Sequence, residues 1–273
     1  MKSSRRTFLK AGVVSLPTVA LAQGQGLEGP CRARTHTLRF AVASDGHFGE
    51  LGTDFQRFHN EMIGWLNDEL DGKGLDLVIF NGDLVHDRPE LLWELKPFYD
   101  RLRVPYFVVK GNHDKASPEL WQKVWGYGEN FDFSRGEYGF ILATTSDETG
   151  AYLCPNVDWI RAALERHRDK QGVFVFLHIS QHGLTKHAVE CPELLNLLRE
   201  TPNVKTVFHG HDHDLDNVIY THEKAFFYSG HMGGSWGTNY RGYRIVEIDL
   251  AGVMQTYQCN PAAFIENRTR IGG

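Results

Sequence analysis

The chain has 273 residues, of which 41% are hydrophobic and 23% charged, and its formal net charge is -5. That balance excludes a disordered chain, a collagen-like repeat and a disulfide-stapled miniprotein, and it gives no electrostatic reason to expect nucleic acid as a partner. Histidine is abundant at 14 residues. Imidazoles bind metals and move protons near neutral pH, so the positions of these residues matter most for function.

The amino terminus reads Ser4-Arg5-Arg6-Thr7-Phe8-Leu9-Lys10, followed by an apolar run that closes on Ala20-Leu21-Ala22. A basic stretch, an apolar stretch and a small-residue end make a cleavable signal over residues 1–22. The paired arginines resemble a twin-arginine leader. The apolar run is shorter than the roughly 20 residues a bilayer span requires, and Pro17 interrupts it, so no stable membrane anchor is expected. A basic surface helix and an uncleaved signal anchor are the alternatives. The resemblance implies that the twin-arginine translocase exports the folded chain to the periplasm. Cleavage near Ala22 removes four basic residues and no acid, leaving 25 basic residues against 34 acidic ones. Cys31, Cys154, Cys191 and Cys259 all remain. An oxidising compartment permits disulfides, with three connectivities open. No CxxC occurs, so no cysteine zinc site is expected.

Residues 23–36 are Gly-rich and polar and read as a linker. The strand-like run Leu38–Ser44 ends in Asp45-Gly46-His47. Apolar residues at helical spacing (Phe55, Phe58, Met62, Trp65, Leu66) predict a helix over Asp54–Leu70. Leu75–Phe80 reads as a strand ending in Asn81-Gly82-Asp83, and Pro89–Leu102 as a helix. Val104–Lys110 is a strand ending in Gly111-Asn112-His113-Asp114. Residues 115–152 are an aromatic-rich connection, expected mainly to pack, with one or two rings walling a pocket. Asn156–His167 and Pro192–Glu200 read as helices. Val173–Leu177 and Val204–Phe208 read as strands, ending in His178 and in His209-Gly210-His211. Val218–Gln258 reads as several β segments, and residues 259–273 as a tail. Alternation of strands with helices predicts an α/β fold, and each polar cluster falls at the carboxyl end of a strand, where α/β sheets bind ligands.

Five clusters carry the chemistry: Asp45-x-His47, Gly82-Asp83, Gly111-Asn112-His113-Asp114, His178 and Gly210-His211-x-His213. A lone His or a Gly-Asp pair is usually a surface or turn residue, but five such clusters in order, each after a strand, form a pattern. Oxygen and imidazole donors without thiolate suit Mn, Fe, Zn or Co better than calcium. Two ions roughly 3.5–4 Å apart clamp the attacking and leaving oxygens of a phosphate ester.

From about Leu38 to Leu250 this pattern resembles the calcineurin-like metallophosphoesterases. The resemblance implies a four-layer α/β/β/α sandwich over residues 37–258, two mixed sheets flanked by helices, with a two-ion site at the carboxyl edge of the strands. Carried over residue by residue, Asp45, His47 and His213 would hold one ion. Asn112, His178 and His211 would hold the other, and Asp83 would bridge them. A hydroxide shared by the ions would attack phosphorus. His113 would protonate the leaving oxygen, and Asp114 would orient His113. The implied function is hydrolysis of a small phosphate ester, a diester ahead of a monoester, with nucleotide-like compounds and glycerophosphodiesters as candidates. A non-catalytic scaffold that binds a partner protein is the alternative, though such relatives usually lose ligands that are present here. A metal-storage protein would not need the Asn112-His113-Asp114 triplet. His86 and His182 could touch a substrate phosphate. His209 reads as a strand-end residue, and His36, His59, His167, His187 and His222 as surface. In the Gly-rich stretch Ser229–Gly237, His231 or Trp236 could reach substrate.

Overall fold

The computed structural model describes residues 36–263, 265 and 268–271. The expected export signal, Cys31 and all of the expected linker except His36 lie outside them. One six-stranded sheet runs in the order β12 (Thr269–Ile271), β11 (Met254–Cys259), β10 (Tyr243–Asp249), β1 (His36–Ala43), β2 (Leu77–Asn81), β3 (Tyr106–Val109). The other runs β4 (Phe131–Arg135), β5 (Tyr138–Ala143), β6 (Gly172–Leu177), β7 (Val204–His209), β9 (Lys224–Tyr228), β8 (Val218–Thr221). Both are mixed. β1, β2 and β3 are parallel and so are β5, β6, β7 and β9, while β10, β11, β12, β4 and β8 pair antiparallel.

Strand sequence explains the layering. On β6, Val173, Val175 and Leu177 pack with helices α4 (Val157–Arg166) and α5 (Pro192–Glu200), while Phe174 and Phe176 face the other sheet. On β1, Ala41 and Ala43 pack toward α1 (Phe55–Lys73), α2 (Leu92–Tyr99) and α3 (Pro118–Trp125), and Phe40 and Val42 face inward. Both faces of each central strand are covered, so these strands read as unbroken apolar runs. Phe40 lies edge-on to Phe140, Phe174, Phe176 and Phe208 at 5.0–6.2 Å. Each buried phenylalanine contributes roughly 1.5–3 kcal/mol, and the inner layer is built from them. The result is the expected α/β/β/α sandwich.

The aromatic-rich connection contains three elements that the sequence reading passed over: α3, β4 and β5. Ser117 caps α3, Pro118 opens it, and Gly126 ends it in a left-handed conformation, which are ordinary helix signals. The expected tail supplies β12 at the sheet edge. Cys154 and Cys191 form a disulfide, and Cys259 is a free, half-buried thiol.

Three histidines expected at the surface are buried: His36, which opens β1 opposite Asp249, His167 and His59. His167 Nε2 donates to Asp132 Oδ1 (2.9 Å). His59 continues the inward stripe of α1 with Phe55, Met62 and Leu66, and packs edge-on against Phe48. Burial lowers its pKa to about 4, only partly offset by its bond to the Phe55 carbonyl. An unfolded imidazole titrates near 6.5. Below that pH the unfolded chain therefore binds a proton that the folded chain refuses, and stability falls. The stability difference between wild type and His59→Asn should shrink by about 2 kcal/mol from pH 7.5 to pH 5, read from urea unfolding. A pH-independent difference would contradict a neutral, buried His59.

Candidate metal centre

Five loops at the carboxyl ends of β1, β2, β3, β6 and β7 meet at one edge of the sandwich. Backbone bonds lock them together. Asp45 N–H donates to Gly82 O (3.0 Å), His47 N–H to Asp83 O (2.9 Å), and Gly210 N–H to His178 O (3.1 Å). Asn81 Nδ2 donates to Phe208 O (3.1 Å), joining the two sheets. Asp45, His47, Asp83 and His211 have left-handed φ values of 57°, 44°, 50° and 66°. Each such non-glycine residue costs about 1–3 kcal/mol and persists where surrounding structure enforces it, characteristically at functional sites. A Cβ at Gly210 would collide with the Ser44 hydroxyl and the Asp45 carboxylate, which explains glycine there.

The side chains form two donor groups that share Asp83. Asp45, His47, Asp83 and His213 make one, and Asp83, His178 and His211 the other. His213 Nε2 lies 3.1 Å from Asp45 Oδ1, and His178 Nε2 lies 3.1 Å from Asp83 Oδ2. His47 Nε2 is 3.0 Å from His213 Nε2. The ring nitrogens that face away from the centre are already engaged: His178 Nδ1 donates to Asn81 O (2.7 Å) and His213 Nδ1 to Trp236 O (3.1 Å). A carbonyl in that position fixes the tautomer so that Nε2 faces inward as a ligand. Asn112 Oδ1 and His211 Nε2 are buried without a hydrogen-bond partner. Orphaned buried polar atoms are expensive, and a cation placed beside them satisfies both. The residues therefore fit two ions that share Asp83.

Charge in the centre is finely divided. Burial alone would raise Asp45, but the His213 and His178 rings bring it down to about 2. Burial opposes charge on Asp83 too, and His178 holds it well below the usual carboxylate range. His178 is buried, yet Asp83 and Asp45 carry it up to about 10. Burial pushes His47 down to about 3 and His211 to about 4. Asp83 and Asp45 thus favour a proton on His178. Ion uptake must displace that proton.

His113 sits beside this centre, its ring 5.0 Å from that of His47 and half-exposed. Its backbone N–H donates to Asp83 Oδ1 (2.8 Å). The expected orienting role of Asp114 is not what the geometry shows. Asp114 Oδ1 accepts from Val85 N (3.0 Å) and Oδ2 from Gly111 N (2.7 Å), clamping two loops together. Burial, then the nearby Asp83, raises its pKa to about 7. Asp87 takes the orienting place instead: His113 Nδ1 donates to its Oδ1 (2.9 Å), and Lys115 Nζ also reaches it (2.8 Å). In the sequence only its position four residues beyond Asp83 marked it, and in the structure a left-handed φ of 59° turns the chain back there.

His86 reaches the site. Its Nδ1 is 2.9 Å from His47 Nδ1, and its ring stacks on His113 at 4.9 Å. His182 does not: its Nδ1 accepts from Leu184 N (3.1 Å) and its Nε2 meets Tyr228 OH (2.8 Å). His209 is the strand-end residue expected, buried and donating to Leu177 O (2.8 Å). His231 stacks behind His213 at 5.3 Å and is buried, whereas Trp236 is exposed and lies flat on His213 at 4.3 Å. Tyr152, from the aromatic-rich connection, meets His211 edge-on at 4.9 Å.

The family model for calcineurin-like phosphoesterases matches residues 38–215. The chain belongs to that family. The family match thus spans all five clusters, while β10 and β11 complete the first sheet beyond it. An uncharacterized protein of Bacillus subtilis, YvnB, is 22% identical over 172 residues, covering 55% of this chain and 13% of its own length. The glycerophosphodiester phosphodiesterase GpdQ of Enterobacter lignolyticus is 25% identical over 163 residues, covering 53% of this chain and 58% of its own length. The chain thus spans well under two thirds of either relative. A dimetal phosphatase from Danio rerio has the same fold, with a TM-score of 0.69 at 12% identity over 87% of this chain and 99% of that one.

Proposed function

We propose that this protein is an exported, two-metal phosphoesterase that cleaves small phosphodiesters in preference to monoesters. The observation that carries the reading is Asp83, shared by two buried donor groups and bonded to the backbone of the adjacent His113. Two ions held by these groups would supply positive charge for the phosphate oxygens and acidify water. The remaining chemistry belongs to the chain. Asp87 fixes His113 through Nδ1, which leaves Nε2 to give a proton to the departing oxygen. His86 stacks on His113 and limits its rotation. Preference for diesters draws on the relative named a glycerophosphodiester phosphodiesterase. The export half rests on the Ser4–Lys10 run, which favours the twin-arginine translocase and a periplasmic location. Among the described residues no helix is long and apolar enough to cross a membrane.

The purified protein loaded with Mn should hydrolyse bis-p-nitrophenyl phosphate, with a higher kcat/KM than for p-nitrophenyl phosphate. A reversed order would make it a monoesterase. Turnover of neither ester would leave the non-catalytic scaffold as the better account.

A further inference from the structure

Among the described residues eight large hydrophobic side chains stand exposed, and five of them lie on loops around the metal centre. They are Leu51 (92%), Leu184 (60%), Trp236 (44%), Tyr152 (42%) and Leu153 (41%). Isolated exposed hydrophobics need no explanation, but a cluster around a polar cleft does.

These five form two groups. Leu51 follows His47 by four residues, and its neighbour Glu50 accepts a hydrogen bond from Ser235, the residue before Trp236. Trp236 in turn lies flat on His213, with an interplanar angle of 5°. This group borders the donors around Asp45 and His213. The other three lie on the loops that follow β5 and β6, the second of which begins at His178. Tyr152 touches His211. Leu153 O accepts from Gln181 Nε2 (3.3 Å), and Leu184 N–H bonds His182 in the same loop. The Cys154–Cys191 disulfide ties together the two segments that carry them.

A phosphodiester bound across both donor groups extends one ester arm to each side. We infer that Leu51 with Trp236, and Tyr152 with Leu153 and Leu184, are the walls against which those arms lie, and that the preferred substrate is an amphiphilic phosphodiester with a bulky apolar arm. This inference rests on the phosphoesterase reading above. It goes further in assigning selectivity to residues that touch neither ion.

The test keeps the leaving group constant while the other arm grows: methyl, butyl and hexyl p-nitrophenyl phosphate, assayed as soluble monomers with the Mn-loaded protein. Burying part of each added methylene should raise kcat/KM at least about tenfold from methyl to hexyl. Of Trp236→Ala and Leu184→Ser, the one on the wall that takes the growing arm should flatten that rise at least about threefold, and both should retain two equivalents of Mn. Equal kcat/KM across the series would overturn the inference and leave the hydrolase reading standing. A full rise in both variants would overturn it as well, because the arm would then lie elsewhere. No turnover of any of the three would remove the diesterase reading, and this inference with it.

Discussion

Asp83→Ala is expected to yield a folded protein that binds neither ion tightly and has lost at least about 10³-fold in kcat/KM, the several kcal/mol that bound ions supply to a phosphoryl transition state. The size of the effect follows from sharing. Loss of Asp45 or Asn112 weakens one donor group, whereas loss of Asp83 weakens both. Asp83 is also the charge that carries His178 up to about 10, and its Oδ1 holds the His113 backbone. Removal therefore leaves crowded imidazoles without their countercharge and frees the loop that presents the acid. Elemental analysis after dialysis checks the first point, steady-state kinetics the second, and circular dichroism guards against unfolding. Two equivalents of tightly held metal in the Ala variant would show that the carboxylate does not bridge.

His113→Ala should behave differently. It touches the centre through its ring and its backbone N–H, and the substitution removes only the ring. Metal content should stay at two equivalents while turnover of an unactivated alkyl ester drops by about 10²–10⁴-fold, the usual worth of a positioned general acid. Asp87→Asn should cost about 10–100-fold, as the loss of an outer orienting partner commonly does. Wild-type activity in His113→Ala would remove this residue from the chemistry, and an unchanged Asp87→Asn would return the orienting role to another group.

The fold was legible where strands are covered on both faces. Runs such as Val173–Leu177 and Leu77–Asn81 announce themselves because no position in them faces water, and the polar cluster after each run could then be placed at one edge. Which residues of those clusters would hold an ion came instead from the resemblance to the metallophosphoesterases, because chain position gives only the edge they share. What stayed hidden depends on contacts between loops. Asp114 adjoins His113 in sequence, yet the carboxylate that bonds the ring is Asp87, from a different strand end. His59 lies on the stripe that buries α1, but histidine is ambiguous where leucine would not be. The Cys154–Cys191 pairing was one of several that spacing allows. The short α3–β4–β5 stretch was obscured by its aromatic density, although Ser117, Pro118 and Gly126 marked its helix.

Asp45, His47, Asp83 and Asn112 come from one sheet, and His178, His211 and His213 from the other. Each ion held between them would therefore act as a rivet between the halves of the sandwich, so that catalytic loading and mechanical cohesion become one quantity. At a free concentration a hundred times its Kd, a single ion adds about 2.7 kcal/mol to the folded state. A chelator in the medium would then soften the whole molecule as well as silence it, and ion scarcity would expose the chain to proteolysis as it slowed turnover.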